Sequence, residues 1–101
     1  MAESEVQTWA KKYLEDEFGA DIYIVKAPQG QYISRRGIPD YIMCIKGFFV
    51  GLEVKTEVGK LTKLQEYELT RINRAGGLSV TLYGKDIRKM EAIVKFIRER
   101  S

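Results

Sequence analysis

The chain has 101 residues, 45% hydrophobic and 31% charged, with 17 Lys and Arg against 14 Asp and Glu for a formal net charge of +3. That length suits one domain with a single core, and no apolar run approaches a membrane span or a signal-peptide core, so a cytosolic globular protein is expected. Histidine is absent and Cys44 is the only cysteine, which excludes histidine-metal nucleases, Ser-His-Asp and Cys-His hydrolases, Cys/His zinc sites and an internal disulfide.

Ser4 and Gln7 have the spacing of a capping box, and Val6, Trp9, Tyr13 and Leu14 then recur at helical spacing, predicting a first helix to about Phe18 that ends at Gly19. Residues 22–26 read as a strand. Two more strands flank Lys46-Gly47, which serve as the two turn residues of a hairpin. Thr62 with Gln65 forms a second capping box and opens a helix to Ala75, stopped by Gly76-Gly77. Leu78 to Tyr83 reads as a fourth strand, and a last helix from about Asp86 is predicted to bury Ile87, Met90, Val94 and Ile97. The order is α-β-β-β-α-β-α, and the strand-helix-strand unit makes the four-stranded sheet mixed, because such a crossover joins parallel strands.

The hairpin carries the chemistry. With Lys46 and Gly47 in the turn, Ile45 faces Phe48 and, by extension, Asp40 faces Glu53. Opposed side chains lie roughly 5 Å apart at Cβ, and like charges there destabilise a sheet. A divalent cation held between the two carboxylates compensates, and a side-chain period of two puts Lys55 on the same face. Tyr41, Met43, Ile45, Phe48, Val50, Leu52 and Val54 make the other face apolar and set it against a helix. Ile42, Cys44 and Phe49 share the carboxylate face, which is expected to be mostly covered, with Cys44 a core residue rather than a nucleophile. Between Lys26 and Asp40 the loop carries Arg35, Arg36 and Tyr32 and no acid. Together with Lys60 and Lys63 it forms a cationic rim suited to phosphates.

Three stretches in order, Arg36-Gly37-Ile38-Pro39-Asp40, Gly51-Leu52-Glu53-Val54-Lys55 and Gly59-Lys60-Leu61-Thr62-Lys63-Leu64-Gln65, resemble the PD-(D/E)XK nuclease superfamily and, within it, the virus-type replication-repair nuclease (VRR-NUC) domain. The resemblance runs from the first helix to about Gly84. Glu68 stands where some related nucleases place the Tyr of a Gln-x-x-Tyr motif, which leaves no basis for an exonuclease subtype. The resemblance implies one restriction-endonuclease-like α/β domain over residues 1–101, with an αβββαβ core and an added C-terminal helix. It implies hydrolysis of DNA phosphodiester bonds by an Mg²⁺-dependent endonuclease, with Mn²⁺ substituting, held by Asp40, Glu53 and the Val54 carbonyl. Lys55 then orients the attacking water or accepts its proton. Glu5, rather than Glu3, is expected to complete the acidic cluster from the first helix. Gln65 either serves only as the capping partner of Thr62 or also orients a site group. The resemblance further implies a homodimer acting on branched DNA such as Holliday junctions, in a bacterial or phage-infected cell. The alternative is a DNA-binding module that keeps the fold without catalysis.

Overall fold

The computed structural model describes residues 2–28 and 35–101. The elements are α1 (Glu3–Phe18), a 3-10 turn (Gly19–Asp21), β1 (Ile22–Lys26), β2 (Tyr41–Ile45), β3 (Phe48–Lys55), α2 (Lys63–Arg74), β4 (Leu78–Tyr83) and α3 (Ile87–Arg100). The sheet order is β1-β2-β3-β4, antiparallel between the first three strands and parallel between β3 and β4. The expected mixed α/β sheet and element order are found.

The β2–β3 hairpin has the predicted register, Ile45 opposite Phe48 and Tyr41 opposite Leu52. Its turn residues Lys46 and Gly47 take φ of 49° and 89°. Positive φ at both central positions matches the right-handed twist of the strands, and glycine adopts it without steric cost.

Alternation then sorts the strands into two faces. On one, Tyr41, Met43, Ile45, Val50, Leu52, Val54, Val80 and Leu82 are buried against Val6, Ala10, Leu14 and Phe18 of α1 and Met90, Ile93 and Ile97 of α3. Fully burying each large aliphatic side chain contributes about 1.5–3 kcal/mol. Arg98 fastens the two helices together, donating to the Glu17 carbonyl and carboxylate at 3.0 and 3.1 Å while its guanidinium lies over the Phe18 ring. The opposite face receives α2 over β3 and β4, where Ile72 packs on Gly51 so closely that a Cβ there would sit 2.6 Å from its Cδ1.

Four local expectations are corrected. Helix α1 starts at Glu3 with Ala2 as its N-cap and no side-chain cap, so Ser4 already lies inside the helix and forms no capping box with Gln7. In α3 Ile93 is buried while Ile87 is 51% exposed, because the core-facing stripe runs through Met90, Ile93 and Ile97 and Ile87 sits beside the N-cap. The carboxylate face is only partly covered, since α2 packs on β3 and β4: Tyr23 on β1 is 70% exposed, and Phe49 at the start of β3 is 48% exposed. For the same reason Cys44 is exposed rather than core.

Candidate metal centre

Asp40 stands one residue before β2, and residues 37–39 ahead of it are held in place by close packing. Gly37 has a φ of 83°, and a Cβ on it would lie 2.6 Å from the Leu64 carbonyl carbon and oxygen in the first turn of α2. Only glycine combines that conformation with that approach. Pro39 is buried and lies against Gly51. The result is a fixed Asp40, 7% exposed, whose Oδ2 accepts the Val54 N–H at 2.8 Å.

Glu53, on the interior strand β3 just past its last pair with β2, is 2% exposed. Burial, and then the negative charge of Asp40, push its carboxyl up to about 8 from an ordinary 4.5, with Lys55 opposing the shift and Glu3 adding to it. Gln65 Nε2 donates to Glu53 Oε2 at 3.4 Å. Glu53 Oε1 is buried with no hydrogen-bond partner among the described residues. An orphaned, buried carboxylate oxygen beside a second carboxylate is costly, because the low-dielectric interior weakens neither the repulsion nor the desolvation loss. A hard divalent cation is the group such oxygens suit, and the donor set fits one.

The third oxygen expected, the Val54 carbonyl, follows from strand geometry. In an extended strand the N–H and C=O of one residue point to the same edge. The Val54 N–H points at Asp40, and Lys55, the next residue, sends its carbonyl the other way to accept from Gly84 N–H at 2.9 Å. The Val54 carbonyl therefore points toward the Asp40 side, past the last β2–β3 pair at Tyr41 and Leu52. Lys55 shares the face of Glu53 by alternation, and Gly59 packs against its stem, where a Cβ would lie 3.2 Å from Lys55 Cβ.

Gln65 makes contacts to both the helix cap and Glu53. Its Oε1 accepts the Thr62 N–H at 2.9 Å and its N–H donates to Thr62 Oγ1 at 3.1 Å, completing the capping box, while Nε2 reaches Glu53. The acid from α1 differs from expectation. Glu5 is exposed, whereas Glu3 is half-buried and its charge acts on Glu53. Glu3 lies one turn before Val6 on the stripe that continues through Ala10 and Leu14, and Glu5 projects from a neighbouring face. No group of three or more Asp, Glu, His or Cys side chains comes together among the described residues, so Glu5 does not complete a cluster with Asp40 and Glu53.

The cationic rim is partly committed within the protein. Arg35 pairs with Glu68 at 2.8 Å, and Glu68 is 8% exposed. Glu68 is the residue sequence reasoning missed: its place on the Leu69 and Ile72 side of α2 was the available signal. Arg36, Lys60 and Lys63 are exposed, and Tyr32 lies outside the described residues. No helix among those described is long and apolar enough to cross a membrane.

No protein-family model and no curated protein matches the chain. A solved structure described as a VRR_NUC domain is similar over 87% of this chain and 92% of its own, with a TM-score of 0.64 and 22% sequence identity. The chain has a VRR_NUC fold.

Proposed function

We propose that this chain is a divalent-metal-dependent endodeoxyribonuclease of the PD-(D/E)XK type, folded as one domain over residues 1–101 and acting in the cytoplasm. The observation that carries the reading is Glu53, which is buried beside Asp40 with one unpartnered oxygen and a carboxyl held near 8. A buried acid shifted by desolvation and a neighbouring charge marks a candidate functional site.

Asp40, Glu53 and the Val54 carbonyl are the oxygen donors for Mg²⁺, for which Mn²⁺ substitutes. Bound there, the ion supplies positive charge to the phosphoryl oxygens as they gain negative charge, and it acidifies water. Glu53 must release its proton to serve as a donor. Gln65 holds the carboxylate through Oε2, which leaves Oε1 for coordination. Val54 N–H fixes Asp40 through Oδ2 in the same way. Lys55, on the same face, orients the attacking water or takes its proton. Arg36, Lys60 and Lys63 neutralise phosphates on either side of the scissile bond.

The substrate proposed is branched DNA such as a Holliday junction, cut by a homodimer whose two sites address two strands. This part rests on the resemblance to VRR-NUC domains. Purified protein incubated with Mg²⁺ and linear, flap and four-way-junction DNAs tests it: cleavage that favours the branched substrates and stops in EDTA is expected. Cleavage undiminished in EDTA would overturn the metal mechanism, and DNA binding without cleavage in Mg²⁺ or Mn²⁺ would leave an idle DNA-binding module.

A further inference from the structure

The part of the sheet that α2 leaves uncovered has a composition of its own. Tyr23, Cys44 and Phe49 form a row across β1, β2 and β3, directly paired from strand to strand. Tyr23 is 70% and Phe49 48% exposed. With strands about 4.8 Å apart, the two rings stand roughly 10 Å from one another on one face. This is the face of Glu53, four residues along β3 from Phe49 and so about 13 Å away. The Phe49 ring is supported from its own side of the sheet: a Cβ on Gly77 would lie 3.2 Å from its Cδ1.

Where Phe49 meets α2 there is a cleft of about 340 Å³ lined by Arg35, Phe49, Glu68, Arg71, Ile72 and Ala75. Its volume is at the small end of ligand clefts, which run from ~300 to ~1,000 Å³, and suits one base rather than a duplex. Two arginines flank the ring. The buried acid Glu68 engages Arg35 through one nitrogen at 2.8 Å, and the Arg35 side chain is 67% exposed. Arg71 is braced on the helix by Tyr67, to whose hydroxyl it donates at 3.2 Å. The cleft thus offers an aromatic face and positive charge.

We propose that this face binds an unpaired DNA strand next to the cut site, with a base stacked on Phe49, a neighbouring base on Tyr23, and phosphates on Arg35 and Arg71. Aromatic rings with arginines are the general solution for single strands, since every base has a π-face. The exposed apolar area is on the order of a few hundred Å², short of the ~800 Å² per partner of a stable protein interface, so a second copy of the chain is the poorer occupant. The inference rests on the nuclease reading and favours flapped substrates, which supply unpaired nucleotides beside a duplex, over fully paired four-way junctions.

The test is binding of a fluorescein-labelled oligothymidylate, intact or with abasic residues, measured in EDTA so that no hydrolysis intervenes. Phe49→Ala and Phe49→Leu, the second keeping apolar packing on Gly77, are each expected to weaken binding of the intact strand by roughly 10-fold and as much as ~100-fold. Both are expected to have little effect on the abasic strand, and Arg71→Ala to reduce the salt slope by about one phosphate. Unchanged affinity of the Phe49 variants, or equal losses on intact and abasic strands, overturns the proposal. A change in sedimentation mass of Tyr23→Ser or Phe49→Leu without a change in strand affinity also overturns it and makes the face an interface between copies. Wild-type protein that cuts DNA without base-dependent binding rejects this subsite alone, while base-dependent binding without cleavage rejects the hydrolytic reading alone.

Discussion

Replacing Glu53 with Gln keeps the side chain's shape and removes the charge that the fold holds at a cost. The carboxyl sits near 8 in the folded protein against 4.5 ordinarily. Between those values the folded state holds a proton that the unfolded state has released, so stability of the metal-free protein is fully present below about pH 4.5 and falls as pH rises toward 8. At 1.36 kcal/mol per unit, the full window corresponds to a loss on the order of 5 kcal/mol. The chain has no histidine, which leaves that pH range nearly free of other side-chain titrations. Urea unfolding in EDTA from pH 5 to pH 9 is therefore expected to show wild-type protein losing several kcal/mol. Glu53→Gln is expected to stay nearly level and to melt more than ~10 °C above wild type at pH 8. Mg²⁺ narrows that gap, because it binds the ionised carboxylate and stabilises the folded wild type by mass action. A wild-type profile that is flat across this range, or a Glu53→Gln profile with the same slope, would refute the reasoning.

Four further perturbations address the surroundings of the pair. Glu3→Gln is expected to move the wild-type pH-dependent loss to lower pH, since Glu3 adds to the upward shift of Glu53, while Glu5→Gln leaves the midpoint in place in the same titration. Gly37→Ala combines a φ of 83° with a 2.6 Å contact to the Leu64 backbone. It is expected to cost more than about 2 kcal/mol in urea unfolding and to slow cleavage by displacing Asp40. Arg36→Ala is expected to leave unfolding unchanged and lower the salt dependence of DNA binding by about one phosphate contact. Arg35→Ala is expected to cost stability as well, about 1 kcal/mol after allowance for solvent screening, because it strands the buried Glu68.

The hairpin was legible in the sequence because Lys46-Gly47 sets turn and register together, and alternation then assigns every side chain to a face. The site inherited that clarity: Asp40 beside Glu53 followed from the register, and Gln65 followed from the phase of α2. Sequence could not place the start of α1, where Ser4 and Gln7 match a capping box that the helix passes over. The rotation of α1 decides which acid is half-buried, Glu3 rather than Glu5. The open face was misjudged for a different reason. Ile42, Cys44 and Phe49 look like core by composition, and only the position of α2 along β3 and β4 reveals that Cys44 and half of Phe49 stay exposed. The ion pair of Glu68 with Arg35 was hidden because it joins segments far apart in the chain.

The claim that Asp40 and Glu53 form a metal centre is tested most directly by comparing wild type with Asp40→Asn in two assays on one preparation. Cleavage of a four-way-junction DNA in Mg²⁺ is expected in wild type and should fall by orders of magnitude in the variant, because a clamp that loses a charged ligand loses both the ion and the placement of water. Unfolding of the metal-free variant at pH 8 is expected at the same temperature as wild type or higher, since one of two neighbouring negative charges has gone while the amide oxygen can still accept the Val54 N–H. A variant that unfolds clearly earlier yet keeps its nuclease activity would contradict the account and make Asp40 a structural residue.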